Sequence, residues 1–275
     1  MSSIRLHRLF GTIGAASILT GAPVCVHAQT GQGWQSESAR RMADSDTEDA
    51  GSKTAYAFKS RTDSLSWARN RALARRATGF HLVVSLQDRH LWAIIGRDTV
   101  LSAPVAVAKG TTLEYGKKEW TFETPRGVRT VLGKEADPIW QPPEWLYAET
   151  AVEYGLKLGH LSNNQRIKLS DGRYLAMSDG EAGVIDNGAF AALPTDEHIV
   201  FDNTLFVPPL GSKNRKVEGE LGKYRLNLGE GYLLHGTPYK ESIGMASTHG
   251  CVRMRDEDIE WLYEHVPVGT KVYIY

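Results

Sequence analysis

Residues 80–108 read FHLVVSLQDRHLWAIIGRDTVLSAPVAVA, and apolar residues recur at alternate positions in three segments of this stretch. Short polar turns at 88–89 and 96–98 separate the segments. A period of two places successive side chains on opposite faces of a strand. Successive strands joined by short turns pair as an antiparallel meander. We therefore predict a mainly β domain that opens with three consecutive strands.

The rest of the chain adds strands, two helices and one segment of different character. Thr124-Pro125-Arg126-Gly127 predicts a tight turn, because Pro fixes one φ angle and Gly supplies the other. A short helix is predicted over 61–77, and a second helix is capped by Asp256 and stopped by Pro267. Residues 148–196 turn polar and Gly-rich after a predicted helix at 149–158, and we interpret them as an inserted lid. Further strands are predicted at 120–123, 128–132, 199–207, 223–228, 232–235 and 271–275.

Composition and the N-terminal segment indicate an exported globular protein. The 275 residues are 41% hydrophobic and carry 32 basic and 32 acidic side chains, so no strong field recruits nucleic acid. Residues 1–28 combine a basic start, an uncharged run and a final Val-His-Ala, which is typical of a cleaved signal peptide. The run is too short to span a bilayer. We predict secretion across the inner membrane to the periplasm or cell envelope, no membrane span after cleavage, and a flexible tether over 29–60.

Signal cleavage would remove Cys25 and leave Cys251 as the one thiol of the mature chain. An odd thiol in a secreted protein is inert, forms an intermolecular disulfide, or is reactive. Two histidines, His235 and His249, lie near it in sequence. An imidazole that takes the thiol proton makes a cysteine a good nucleophile. Gly250 lets another backbone approach closely and frees main-chain N–H groups for an oxyanion.

The pattern His235-Gly236-Thr237 followed by residues 248–253, Thr-His-Gly-Cys-Val-Arg, resembles the signature of the L,D-transpeptidase catalytic domain of bacterial peptidoglycan synthesis. The turn at 124–127 and the proline-rich stretch at 138–143 also resemble that family. The resemblance implies a β-sandwich catalytic domain over 78–275 that uses no cofactor and no metal. The long segment at 148–196 departs from the family pattern.

The resemblance also implies the chemistry and the site residues. A cysteine attacks the third residue of a peptidoglycan tetrapeptide stem, D-alanine leaves, and an acceptor resolves the thioester. The acceptor would be a second stem peptide, a lysine of an envelope lipoprotein, a free D-amino acid or water, and carbapenems would acylate the thiol. The implied catalytic residues are the nucleophile Cys251, the base His235, Gly236, whose carbonyl orients the base, and His249. The predicted substrate-binding residues are Arg253, whose planar fork suits a carboxylate, Thr248, Gly250 and Tyr232.

Three alternatives stay open at this point. A zinc peptidase would use His235, His249 and Cys251 as ligands, but the sequence has no His-Glu-x-x-His pair. A non-catalytic wall-binding protein would keep the fold without the activity, and the intact cysteine and histidine argue against it. An L,D-carboxypeptidase would use the same residues with water as acceptor.

Overall fold

The structure is a computed structural model that describes residues 58–275. The predicted signal peptide and almost all of the predicted tether lie outside the described residues. The helices are α1 (Arg61–Arg76), α2 (Glu144–Glu153) and α3 (Asp256–His265), with 3₁₀ turns at Lys213–Arg215 and Lys240–Ser242. The strands are β1 (Phe80–Ser85), β2 (His90–Ile95), β3 (Asp98–Pro104), β4 (Val107–Ala108), β5 (Thr112–Tyr115), β6 (Lys118–Thr121), β7 (Gly127–Thr130), β8 (Gly133–Ala136), β9 (Lys157–His160), β10 (Arg166–Lys168), β11 (Tyr174–Ser178), β12 (Glu181–Asp186), β13 (Ala189–Ala192), β14 (Ile199–Phe201), β15 (Thr204–Val207), β16 (Tyr224–Asn227), β17 (Leu233–His235), β18 (Ala246–Thr248), β19 (Val252–Arg253) and β20 (Lys271–Ile274).

The first sheet has five strands in the order β3-β2-β1-β20-β7. β1, β2 and β3 pair antiparallel in sequence, so the predicted meander is confirmed. β20 lies between β1 and β7, parallel to β1 and antiparallel to β7. Leu82 and Val84 of β1 stand beside Val272 and Ile274 of β20, and all four are buried. Val83, on the opposite face of β1, is buried as well, so this central strand is covered on both faces.

The second sheet has the order β19-β17-β16-β8 and shares its core with the first. Leu226, Leu234 and Val252 of this sheet join the same buried cluster as the β1 and β20 side chains. Helix α3 adds Ile259 and Leu262, which are fully buried. Acidic residues in the first turn of α3 and a histidine in the last turn complement its dipole. The predicted mainly β sandwich with a few short helices is confirmed.

Strands β9 to β15 form a second unit with its own core, which we call the inserted unit (residues 157–207). β10 to β13 make a four-stranded antiparallel sheet, and β14, β15 and β9 make a three-stranded one. Strands therefore make up 22 of the 49 residues in the segment predicted as a lid. The buried apolar side chains of the unit are Leu161, Leu169, Leu175, Ala182, Val184, Ile199 and Phe206.

Four glycines of this unit have turn or packing roles. Gly172, Gly180 and Gly188 lie between successive strands with φ of 92°, 76° and 83°. Such positive φ angles favour glycine. Gly183 lies within β12, where an added Cβ would stand 2.2 Å from the ring of Phe190.

Buried polar contacts attach the inserted unit to the rest of the domain. The buried Arg215 donates from Nε to the carbonyl of Pro142 and from Nη1 to that of Pro208, both at 2.8 Å. Its guanidinium carbon also lies 5.5 Å from the ring centre of Tyr147 on helix α2. The segments that enter and leave the inserted unit are thus held together by one arginine.

Helix α1 packs on the first sheet, over the range where the sequence predicts a helix. The Ser60 hydroxyl accepts a hydrogen bond from the Asp63 N–H and caps the helix. Trp67 stands edge-on to Tyr275, and Asp63 pairs with Arg126 of the 124–127 turn. In the part of the chain that is described, no helix has the length and apolar character to cross a membrane.

Candidate active site

Cys251 lies in a short loop that joins β18 to β19, and each of these strands pairs with a different neighbour. We call residues 247–253 the Cys251 loop. β18 at its start pairs with β4, and β19 at its end pairs in parallel with β17. Cys251 is a half-buried free thiol, and its Sγ lies 3.8 Å from the carbonyl oxygen of Gly231. The loop thus holds a reduced sulfur at the edge of the second sheet.

Gly250 is required by the geometry of this loop. Its φ is 145°, a conformation that side chains with a Cβ rarely adopt. An added Cβ would also stand 3.1 Å from Cε1 of Tyr232 and 3.4 Å from the carbonyl oxygen of Glu123. The half-buried Tyr232 therefore packs directly against the loop, and the sequence needs Gly before Cys251.

Two buried threonines fasten the loop. Thr248 Oγ1 donates to the Cys251 carbonyl at 2.6 Å and accepts from the Gly250 N–H at 3.2 Å. Thr124 Oγ1, in the predicted tight turn, donates to the Gly250 carbonyl at 3.0 Å and accepts from Ala108 N–H at 3.0 Å. The Thr248 hydroxyl and the Gly250 N–H group are therefore both engaged within the loop.

His235 lies on the strand next to the thiol. β17 and β19 run in register with His235 beside Arg253. Cys251 lies two residues before Arg253, just outside β19, and its thiol is close to the N–H of Leu233, two residues before His235 in β17. The His235 Nδ1 donates to the Gly236 carbonyl at 2.6 Å. This bond assigns the proton to Nδ1 and leaves Nε2 as the basic nitrogen.

Glycine is required at Gly236, in the turn after His235, and at Gly222, which packs against that turn. Gly222 has a φ of 65°, and a Cβ there would lie 2.6 Å from the backbone of Gly236. At Gly236 itself, a Cβ would lie 3.1 Å from Oδ1 of Asp256 and 3.2 Å from Cα of Gly222. The close approach of the two glycine backbones fixes the carbonyl to which His235 donates.

Burial keeps both His235 and Cys251 uncharged in the resting structure. Desolvation, with the nearby charges of Arg253 and Arg225, lowers the pKa of His235 to about 3. Desolvation also raises the pKa of the Cys251 thiol above its ordinary value, although the Leu233 N–H and the two arginines favour the thiolate. The pair therefore rests as thiol and neutral imidazole rather than as an ion pair.

His249 faces away from this pair into a cluster of charged and aromatic side chains. Its Nε2 lies 3.0 Å from Oε2 of Glu149 and 3.1 Å from Nζ of Lys109. Its ring stacks on Trp145, with centroids 4.1 Å apart and planes inclined by 17°, and meets Phe122 edge-on. Burial lowers the pKa of His249, against the raising effect of Glu149.

Glu149, Lys109 and Trp145 were not predicted as site residues. Lys109 Nζ also donates to Glu149 Oε1 at 2.9 Å. Burial opposes ionisation of Glu149, but hydrogen bonds and charge from His249 and Lys109 lower its pKa overall. The available signal was the spacing of Trp145 and Glu149, which share one face of a helix at i and i+4.

Arg253 borders the thiol on the other side. It is half-buried, and its guanidinium carbon lies 5.4 Å from the ring centre of Tyr239. Among residues 58–275 no carboxylate lies within ion-pair distance of it, but its charge favours the ionised forms of Glu220 and Cys251, whose pKa values burial raises.

The three ligands of the zinc-peptidase alternative do not assemble into a metal site. Residues 58–275 contain no group of three or more His, Cys, Asp or Glu side chains arranged to hold an ion. His249 Nε2 is directed at Glu149 and Lys109, whereas His235 is bonded to Gly236.

A family model for the L,D-transpeptidase catalytic domain matches residues 79–274. The chain belongs to this family. The L,D-transpeptidase domain extends from the residue before β1 to the end of β20, so both sheets of the sandwich and the inserted unit lie within it. The family resemblance inferred from the sequence motifs is confirmed.

Curated relatives match over short stretches. "Probable L,D-transpeptidase YbiS" of Escherichia coli K12 is 47% identical over 66 residues, which cover 24% of this chain and 20% of that protein. "Probable L,D-transpeptidase ErfK/SrfK" of Salmonella typhimurium is 42% identical over 57 residues, covering 21% and 18%. The chain thus aligns with about a fifth of the length of these relatives.

Solved structures of L,D-transpeptidases are also similar to this chain. A crystal structure from Xylanimonas cellulosilytica is 16% identical with a TM-score of 0.38, covering 73% of this chain and 62% of that one. A structure from Mycobacterium tuberculosis H37Rv is 15% identical with a TM-score of 0.36, covering 72% and 58%.

Proposed function

We propose that this protein is an exported cysteine L,D-transpeptidase that acts on tetrapeptide stems of peptidoglycan. The observation that carries the proposal is the pairing of β17 with β19, which sets His235 beside Arg253, two residues from the Cys251 thiol. Neither His235 nor Cys251 belongs to the apolar core cluster. A nucleophile beside an oriented base is the arrangement that acyl transfer requires.

The first half of the reaction forms a thioester. His235 Nε2 takes the proton from Cys251 Sγ as the sulfur attacks the carbonyl carbon of the third stem residue. The carbon–nitrogen bond to the terminal D-alanine then breaks, and the imidazolium returns the proton to the departing amine. The Gly236 carbonyl keeps the ring in the orientation and tautomer needed for both transfers, since it accepts from Nδ1.

The second half returns the enzyme to its resting state. An amine acceptor attacks the thioester carbonyl, and His235 takes the amine proton and delivers it to the leaving thiolate. A second stem peptide or a lysine of an envelope lipoprotein would supply this amine, and water in its place would give an L,D-carboxypeptidase. The predicted cleavage of residues 1–28 supports a location in the periplasm or cell envelope, where such substrates are found.

Arg253 is the residue that we propose for a carboxylate of the stem peptide. Its guanidinium is half-buried, borders the thiol and makes no ion pair within residues 58–275. A planar guanidinium binds both oxygens of a carboxylate. We propose that Tyr232 lines the same cleft, because it packs on Gly250.

The test is mass spectrometry of the products formed from purified disaccharide-tetrapeptide. Wild-type protein should give cross-linked dimers with loss of D-alanine, and Cys251→Ala should give no product while keeping its melting temperature. Tripeptide without dimers would instead assign a carboxypeptidase. Turnover by folded Cys251→Ala would refute the proposed nucleophile.

A further inference from the structure

We infer that Glu149 is a positioning residue for the Cys251 loop. It fixes the orientation of the His249 ring and determines which ring nitrogen carries the proton. Through His249, it holds the backbone that carries Cys251. The inference rests on the proposed role of Cys251 as nucleophile. It assigns a part in the chemistry to helix α2, which leads into the inserted unit.

The contacts from α2 restrain the His249 ring in two directions. Trp145 stacks on the ring and so fixes its plane. Glu149, one helical turn later, lies 3.0 and 3.2 Å from Nε2 through its two carboxylate oxygens and so fixes the rotation within that plane. The side chains of Glu149 and His249 are only 16% and 12% exposed, so water screens this contact weakly.

The same contacts choose which ring nitrogen carries the proton. An ionised carboxylate only accepts hydrogen bonds, so Glu149 requires a proton on Nε2. Lys109 only donates, and its Nζ lies 3.1 Å from the same nitrogen, so alone it would require an unprotonated Nε2. Because Glu149 also binds Lys109 at 2.9 Å, it neutralises this competing cation. Removing the carboxylate should therefore move the proton of neutral His249 to Nδ1.

The ring is joined directly to the reactive loop. His249 precedes Gly250, whose backbone has a φ of 145°, and the opposite side of the loop is held by Thr124. The Cys251 loop is thus held between the tight turn at 124–127 and helix α2. A loose His249 would let this segment move, and a shift of about 1 Å in a reacting group costs on the order of a hundredfold in rate.

The experiment compares Glu149→Ala and Glu149→Gln with a control, Glu144→Gln. Glu144 lies on the same helix and pairs with Lys118 at 2.6 Å, without contact to His249. Two quantities are measured in the full chain: the rate at which a carbapenem acylates Cys251, by intact mass, and the ¹⁵N shifts of the His249 ring. Melting temperatures show whether each variant is folded.

We expect Glu149→Ala to slow acylation by about 10- to 100-fold and to move the His249 proton to Nδ1. Glu149→Gln should restore most of the rate and keep the proton on Nε2, because its amide oxygen has two lone pairs and can accept from both Nε2 and the competing donor Lys109. The control should match the wild type in both measurements. A merely structural contact would lower the melting temperature without this link between tautomer and rate.

The inference would be overturned if folded Glu149→Ala were acylated at the wild-type rate, or if its His249 kept the wild-type tautomer. If Glu149→Ala does not fold, Glu149→Gln is the deciding variant. Loss of the His249 Nε2 proton in Glu149→Gln would then overturn the inference. Failure of the wild-type protein to form any adduct at Cys251 would contradict the proposed function, whereas the tautomer measurement would still test the role of Glu149.

Discussion

At the residue scale, the charge states of Cys251 and His235 set the pH dependence of acylation. His235, with a pKa near 3, is unprotonated across the neutral range. The thiol has a raised pKa, so its thiolate is the minor form there. We predict that acylation of Cys251 by a carbapenem accelerates from pH 6 to pH 9, as intact mass would record. A rate that is already maximal at pH 6 would indicate a preformed ion pair and contradict this prediction.

The backbone of Gly250 gives a second residue-scale prediction. Gly250→Ala must hold a Cβ at a φ of 145° and against Tyr232, so we expect a loss of about 1–3 kcal/mol in the free energy of unfolding. Acylation of Cys251 should fall with it. Gly133→Ala is the matched control, because Gly133 has no positive φ and an added Cβ would meet nothing within 4 Å. Urea unfolding of both variants checks the prediction, and equal stabilities would refute it.

At the scale of elements, a buried histidine makes the stability of the inserted unit sensitive to acid. Burial lowers the pKa of His198, just before β14, to about 4. The unfolded chain takes up this proton near its ordinary pKa of about 6.5, whereas the folded chain resists until about pH 4. Stability is therefore full above about pH 6.5 and falls between about pH 6.5 and 4, by on the order of 2–3 kcal/mol.

We predict that His198→Gln flattens this part of the pH profile. The measurement is the free energy of urea unfolding at several pH values between 7 and 4. His160→Gln is the control, since the His160 side chain is 58% exposed and water screens its pair with Glu144, so this change should alter the slope much less. Identical slopes in His198→Gln and the wild type would show that another group causes the acid sensitivity.

Elements with local sequence signals were predictable, and those fixed by distant pairing were not. The period of two in 80–108 predicted the meander correctly: β2 alternates between buried and half-buried residues, although β1 is buried on both faces. Residues 199–207 were predicted as one strand, but Asp202 and Asn203 both have positive φ and turn the chain into a hairpin. Asp and Asn tolerate that conformation best after Gly, so the signal was present and was overlooked.

The site residues also divide into those with a local sequence signal and those placed by tertiary packing. Cys251, His235 and Gly236 lie within sequence motifs, so their proximity was predictable from the family pattern. Glu149 comes from a helix 100 residues away in the chain and meets His249 only through tertiary packing. The i, i+4 spacing of Trp145 and Glu149 places both on one helix face, but the contact with His249 depends on how α2 packs against β5, β9 and β15.

At the scale of the whole molecule, the inserted unit is a candidate determinant of acceptor choice. Gly159 of β9 and Ile199 of β14 both pair with Phe206 of β15, so the two positions are about 10 Å apart, across one strand. A linker of about four residues spans that gap. It would replace the β10–β13 sheet without removing α2.

We predict that this replacement shifts the products of disaccharide-tetrapeptide from cross-linked dimers toward hydrolysed tripeptide, because a covering unit excludes water from the thioester. Carbapenem acylation of Cys251 should stay near the wild-type rate, since Glu149 and Trp145 remain. Product ratios by mass spectrometry provide the measurement. An unchanged ratio in a variant that still acylates would assign the unit a passive role.

The central place of β20 in the first sheet has a consequence for how the domain is synthesised. β20 follows the other nineteen strands in chain order, yet it supplies the only hydrogen-bonded link between β1 and β7 among residues 58–275. A ribosome must therefore release this strand before the sheet can close, and until then β1 and β7 keep open edges. Open strand edges of this kind can pair with other chains, so the pairing of β20 also protects the first sheet from aggregation.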